Sequence, residues 1–224
     1  MTPNKEDYLK CIYEISTQVE KISNKEIATR MQVSPPAVTE MMKKLIAEEF
    51  LVKDKKKGYI LTEQGLHSVS DLYRKHRLIE VFLVKNLGYT TDEIHEEAEV
   101  LEHTISDRFV EGLDRMLDYP KTCPHGGTIP AKGEQLQEIH TQTLAQTTEK
   151  GHYLLHRVQD SFELLKYLEQ INLQIGDSIE LTDYDSFTDL YSLTVKGQPL
   201  QINHTVADSI YVEKWSKENT PTDE

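Results

Sequence analysis

Between Thr90 and Ile105 the sequence reads TTDEIHEEAEVLEHTI, and His95, Glu99, Glu102 and His103 recur in it at helical spacing. At about 100° per residue these four occupy one stripe roughly 100° wide, beside an apolar stripe of Ile94, Ala98, Leu101 and Ile105. Two imidazoles and two carboxylates at i, i+4, i+7 and i+8 can converge on a divalent cation without backbone distortion. Thr90 and Glu93 have capping-box spacing, so the helix is expected from Thr91. Taken alone, the stripe is equally well read as a solvated acidic flank with two incidental histidines. Ligands elsewhere in the chain decide the matter.

Two other segments supply such ligands. A helix expected over 63–87, capped by Thr62, carries an apolar stripe of Leu66, Val69, Leu72, Tyr73, Ile79 and Leu83. His76 and Glu80 interrupt that stripe, and polar groups on a buried face need a partner or a cation. The loop from Tyr119 to Pro130 holds three prolines and two glycines, and in it Cys123 and His125 flank Pro124 on a rigid backbone. A lone Cys-x-His is a weak motif, but beside two helices bearing His and Glu it can complete a shell. Cys11 is the only other cysteine, so no disulfide framework exists and each thiol is a small buried hydrophobe or a reactive or ligating group.

The elements before these residues read as a module for duplex DNA. Tyr8, Ile12 and Ile15 mark an opening helix over 4–16 that also bears Asp7. Ser23 and Glu26 form a capping box before a short helix, 25–31, and Ser34-Pro35 start a third that runs to Glu49, with Val38, Met41, Met42 and Leu45 inward. Short helix, tight turn and helix is helix-turn-helix spacing. Strands over 50–53 and 58–62, joined by a Lys-rich turn, add a wing. The third helix would present Ser34, Pro36, Ala37, Thr39, Glu40 and Lys43 to the groove, with Glu40 able to accept from cytosine N4. Lys44, Lys53, Lys55, Lys56 and Lys57 would meet phosphates. Winged helices also serve as protein-binding modules; the clustering of lysines in the third helix and the wing favours DNA.

Charge distribution agrees. The 224-residue chain has a net charge of −13, which excludes non-specific nucleic-acid binding by the whole. Residues 1–65, however, hold 11 Lys and Arg against 10 Asp and Glu, so only this segment can sit on phosphate. With 38% hydrophobic residues, no run near the ~20 apolar residues of a membrane span and no signal-peptide pattern, a cytoplasmic protein is expected. After a further helix, 107–116, the polar stretch 141–150 reads as a linker. From Gly151 a strand, a short helix over 161–170 and the hairpin signal Lys196-Gly197 indicate a small β-barrel-like domain, and 216–224 reads as a disordered tail.

In this order, and with the runs SPPAVTEM, YRKHRLIEVFLV and CPHGGTIPAKGE, the chain resembles the diphtheria-toxin-repressor family of metalloregulators over nearly its whole length, most of all the manganese-responsive repressors of Gram-positive cocci. The resemblance implies a mainly α fold with small β parts: a winged helix-turn-helix (1–65), an all-α dimerisation domain (66–140) and a C-terminal SH3-like, FeoA-type barrel (151–215). It implies a homodimer that binds Mn²⁺ or Fe²⁺, with Zn²⁺ or Cd²⁺ as in vitro substitutes, and then binds palindromic operators of metal-uptake genes. The family's primary site maps onto Asp7, Glu99, Glu102 and His103, and its ancillary site onto His76, Glu80 and His95 with a carboxylate from the third domain, for which Asp160 is chosen. Asp7 and Glu99 stand where the founding iron-sensing pattern has a thioether and a thiol, which hardens the site toward Mn²⁺. Cys123 and His125 replace groups that do not ligate there, so either they or His95 complete the second shell; the preferred set is Glu80, Cys123, His125 and Asp160, with His76 between the sites.

Two other classes compete. A hydrolase using the His/Glu cluster needs an open coordination position, and His95-Glu96-Glu97-Ala98-Glu99 lacks the second His of the zincin helix. A metal-independent winged-helix regulator answering an organic effector would keep its operator after chelation.

Overall fold

Ser23 accepts from the backbone of Glu26 while the Glu26 carboxylate accepts from Ser23 N, so the capping box is formed in full. It opens α2 (Asn24–Arg30), which packs between α1 (Pro3–Gln18) and α3 (Pro35–Ala47), the latter capped by Ser34. The wing is β1 (Leu51–Asp54) paired antiparallel with β2 (Gly58–Leu61). Asp54 accepts from the N–H groups of Lys56 and Lys57 at 2.7 Å, which closes the turn and lowers the pKa of its carboxyl. Gly58 has φ +80°, and a Cβ there would lie 1.9 Å from the Ile22 carbonyl oxygen, so only glycine lets the wing reach the α1–α2 connection.

The computed structural model describes residues 1–91, 93–147 and 149–215; the expected tail, 216–224, lies outside the described residues. The chain divides into two compact units, one of residues 1–79, 98–121 and 129–137, the other of residues 80–97, 122–128 and 138–224. Their boundaries fall inside α4 (Glu63–Phe82) and α5 (Ile94–Glu102). In the first unit α1 to α3 and the wing enclose a core that includes Leu9, Ile12, Ile27, Val38, Met42, Leu45 and Val69. α6 (Asp107–Met116), capped by Ser106, belongs to the same unit.

Two expectations for the helices need correction. The last turn before Gly88 is a π-helix, Leu83–Leu87, which Gly88 at φ +73° ends by bonding to the Leu83 carbonyl. α5 starts at Ile94, not Thr91: Thr90 N donates to Glu93 Oε2 at 3.0 Å, and the chain makes a turn before becoming helical. It ends at Glu102, so His103 follows the helix, in a turn closed by Thr104 N on Leu101 O.

The second unit centres on an antiparallel sheet in the order β6 (Gln198–Asn203), β5 (Leu190–Val195), β4 (Ser178–Asp185), β3 (Gly151–Val158), β7 (Ile210–Lys214). α7 (Phe162–Gln170), capped by Ser161, and α8 (His204–Ala207) pack on it. Lys196 and Gly197 at φ 52° and 76° make the tight turn between β5 and β6. The stretch read as a linker is built into this domain. Leu144 is fully buried in its core, Thr143 bridges to Tyr211 and Val212 N donates to Gln142 O at 2.9 Å. One apolar anchor and backbone pairing to β7 hold a segment whose polar composition hid it. Among the described residues no helix is long and apolar enough to cross a membrane.

Candidate metal centres and nucleic-acid interface

The first centre is assembled from α1 and the end of α5. His103 Nε2 lies 2.9 Å from Asp7 Oδ1 and 3.4 Å from Glu102 Oε1. Asp7, Glu102 and His103 together offer ligand atoms within 4.8 Å of one another. Burial raises the Asp7 pKa, with His103 opposing; burial also acts on Glu102, but His76 and the Lys10 ammonium outweigh it and lower that carboxyl. Glu102 is 2% exposed although it sits on the stripe expected to flank the apolar face.

Glu99 does not join this cluster. Its side chain is half exposed, and Lys10 Nζ stands 3.6 Å from it and 3.5 Å from Glu102. His76 Nδ1 is 2.5 Å from Glu102 Oε2, so His76 supports the first centre through that carboxylate. Two residues that sequence reasoning missed complete the environment. Glu6 Oε2 is 2.7 Å from His103 Nδ1, and Lys10 supplies a cationic group among the carboxylates. Lys10 had only its i+3 spacing from Asp7 as a signal and Glu6 had none, since their partners Glu102 and His103 lie 92 and 97 residues away. The donor set of two carboxylates and one imidazole is hard and oxygen-rich, and fits Mn²⁺ or Fe²⁺ better than a thiolate-seeking ion.

The second centre lies in the second unit. His125 Nε2 is 3.0 Å from the Thr91 carbonyl oxygen, to which its N–H donates, and this aims Nδ1 at Glu80 Oε1, 3.1 Å away, and Asp160 Oδ1, 3.5 Å away. Glu80, Cys123 and His125 are all buried, with ligand atoms within 4.8 Å. A carbonyl that fixes one ring nitrogen and points the other inward is the usual support of a ligating histidine. His95 Nδ1 is 2.8 Å from the same Asp160 oxygen, so both candidates for completing this shell meet that carboxylate. Burial pushes the His125 pKa down, but hydrogen bonds with Cys123 and Glu80 and the charge of Asp160 push it up to about 12. Any cation entering here must displace a proton.

Gly126 holds the Cys123/His125 loop in place. Its φ is +79°, a Cβ would lie 1.9 Å from the His156 carbonyl oxygen, and Val158 N donates to His125 O at 3.0 Å. The loop therefore lies directly on β3, two residues before Asp160.

On the reading head Ser34, Pro36, Ala37, Thr39, Glu40, Lys43 and Lys44 are all exposed, as are Lys53, Lys55, Lys56 and Lys57 on the wing. Ser34 Oγ is engaged as the helix cap and Glu40 pairs with Lys43 at 3.2 Å. Tyr59 OH, Asn24 and Thr39 form a hydrogen-bonded chain from β2 through α2 to α3, which sets the wing against the third helix.

Comparison with known proteins gives three family matches in sequence order. Residues 1–59 match the iron dependent repressor N-terminal DNA binding domain, residues 62–131 the iron dependent repressor metal binding and dimerisation domain, and residues 142–214 the FeoA domain. The structure of the manganese-activated repressor ScaR with bound Zn²⁺ is 68% identical, with a TM-score of 0.90 over 94% of this chain and 99% of that one. That of the manganese regulator SloR is 60% identical, with a TM-score of 0.87 over 96% and 100%. The diphtheria toxin repressor of Corynebacterium jeikeium is 30% identical over 65% of this chain, which spans 60% of that relative's length.

Proposed function

This chain belongs to the diphtheria-toxin-repressor family of metal-dependent transcriptional repressors, and on that premise we propose that it is a cytoplasmic, Mn²⁺-activated homodimer that binds palindromic operators of metal-uptake genes. Fe²⁺ is the second candidate ion, and Zn²⁺ or Cd²⁺ would occupy the same donors in vitro. Residues 1–65 are the DNA reader, 66–140 the dimerisation and metal-binding part, and the segment from Gln142 on the FeoA-type domain.

A single observation carries the reading: Asp7, on the first helix of the DNA reader, meets His103 and Glu102 at the end of α5. Asp7, Glu102 and His103 would hold the first ion, with Glu99 reaching it on leaving Lys10. Glu80, Cys123, His125 and Asp160 would hold the second, with His76 backing the first site through Glu102 and His95 backing the second through Asp160. Each bound ion supplies positive charge that neutralises clustered carboxylates. At the first site Lys10 adds positive charge beside Glu102, and Asp7, Glu6 and Glu102 all approach His103. With the carboxylates neutralised Asp7 is held firmly, α1 is fixed against α5, and the reader is ordered before it meets DNA.

Two-fold symmetry is favoured by apolar side chains left exposed in the matched dimerisation region: Val100 on α5 at 67% and Phe109 and Met116 on α6 at 51% and 55%. A hydrolase is disfavoured because the helix at His95 carries Glu99 where the zincin pattern needs its second His. An effector-driven regulator is disfavoured because the polar groups at the reader's root are ligand atoms.

Linkage gives the test. If metal orders the reader, operator must tighten Mn²⁺ binding by the factor by which Mn²⁺ tightens operator binding, typically about 5- to 150-fold. Calorimetric titration of Mn²⁺ with and without saturating operator should show that factor, and identical affinities exclude the coupling.

A second expectation concerns the wing. Replacing Lys55, Lys56 and Lys57 together by Ala should weaken binding at all sequences and flatten the plot of log affinity against log salt by up to ~0.9 per lost phosphate contact. An unchanged slope would show that the wing does not touch the backbone.

A further inference from the structure

We propose that His140, His156 and Glu213 form a third divalent-cation site, confined to the C-terminal sheet domain and selective for imidazole-preferring ions such as Zn²⁺ over Mn²⁺. The three share no residue with the centres described above, and each offers a ligand atom within 4.8 Å of the other two.

The backbone is built to bring them together. β3 and β7 pair Leu155 with Val212 and then Arg157 with Tyr211, so His156 is the extra residue of a β-bulge. A bulge sets two residues of one strand against one of its partner, and such devices recur beside functional sites. His156 stays on the face opposite the buried Leu155, and Arg157 joins it off the buried face. His156 Nε2 lies 3.3 Å from Glu213 Oε2 on the neighbouring strand. That nitrogen is shut off from solvent and lies in ion-pair range of Glu213 without hydrogen-bond geometry.

His140 arrives from the segment before β3, and its ring stacks on that of His156 with centroids 3.9 Å apart and planes 7° from parallel. Its backbone is pinned: Arg157 Nε donates to the His140 carbonyl at 2.9 Å, while the Arg157 guanidinium lies 3.4 Å from the centre of the Tyr211 ring. Two imidazoles are thus held together, and the Glu213 side chain beside them is 51% exposed.

Ligand atoms around a tetrahedral Zn²⁺ at ~2.0–2.1 Å stand about 3.3 Å apart, so closure needs side-chain rotation and no backbone movement. Two imidazoles and one carboxylate make a familiar zinc donor set that leaves one position for water. Mn²⁺ seeks more oxygen donors than three side chains with two nitrogens supply, which is the basis of the selectivity.

The test is metal stoichiometry of the full chain after dialysis against buffered Zn²⁺ or Mn²⁺, for wild type, His140→Ala and Glu213→Gln. His140→Ala should bind one Zn²⁺ per chain fewer than wild type and the same number of Mn²⁺ ions. Glu213→Gln should bind this Zn²⁺ at least about tenfold more weakly. Equal Zn²⁺ stoichiometry and affinity in wild type and His140→Ala would overturn the proposal, leaving the histidine pair as a packing contact. A parallel loss of Mn²⁺ would overturn the selectivity. If His140→Ala melts early by circular dichroism, Glu213→Gln decides: wild-type Zn²⁺ affinity in that variant refutes the site.

Discussion

Asp7→Ala is expected to leave operator affinity low at every Mn²⁺ concentration. Asp7 is the α1 residue among the proposed ligands of the first centre, and its Oδ1 lies 2.9 Å from His103 Nε2. Without it an ion held by Glu102 and His103 has no hold on α1. Raising free metal cannot substitute, because mass action fills a site but does not restore a missing bridge. The deficit at saturation should equal the lost coupling, about 5- to 150-fold in operator affinity. The neighbouring carboxylate makes this a sharp test: Glu6 Oε2 is 2.7 Å from His103 Nδ1 and contacts the same ring from the same helix. If Glu6 were the true bridge, Asp7→Ala would reach wild-type operator affinity at high Mn²⁺ and Glu6→Ala would not. The fold should be indifferent to the change, since Asp7 adds nothing to the core built on Leu9, Ile12 and Val38.

Asp7 and its surroundings also show what a sequence can and cannot tell. Periodicity and capping locate most of the helices, because their causes are local: Ser23 with Glu26, Ser34 with the N–H of Ala37 and Ser106 with the N–H of Phe109 each satisfy backbone groups within one turn. The same reasoning put His95, Glu99 and Glu102 on a helix that the structure has, while His103, expected on it too, lies one residue beyond its end. It could not show which would meet. Glu99 and Glu102 look equivalent on a helical wheel, yet one is half exposed against Lys10 and the other is buried between His76 and His103. That difference is set by α1 and α4, which lie far away in sequence. Leu144 makes the converse point. A single leucine in a polar stretch gives no periodic signal, and only β7 and the C-terminal core turn the expected linker into structure. The π-turn at Leu83–Leu87 and the bulge at His156 likewise leave no mark in composition, since each is one residue of misregister imposed by packing.

Gly126→Ala should abolish the second centre although every ligand remains in the sequence. The added Cβ would lie 1.9 Å from the His156 carbonyl oxygen and 2.8 Å from Arg157 Cα, both backbone atoms of β3 that cannot move aside. The φ of +79° adds strain for any residue with a side chain. The loop must lift, breaking the bond from Val158 N to His125 O and drawing Cys123 and His125 away from Glu80 and Asp160. Cys123→Ala is the informative contrast. It removes one donor but leaves the loop seated, and since Mn²⁺ does not demand sulfur, two carboxylates and an imidazole should still hold it, about 10- to 100-fold more weakly. Equilibrium dialysis should therefore find one Mn²⁺ fewer per chain in Gly126→Ala even at high metal, and full stoichiometry with a right-shifted curve in Cys123→Ala. In neither variant should the ligands of the first centre change, so operator binding should still be activated by Mn²⁺. Wild-type stoichiometry and affinity in Gly126→Ala would mean that the loop does not position the second ion, and failure of Cys123→Ala to activate at any Mn²⁺ concentration would mean that this centre, not the one at Asp7, governs the reader.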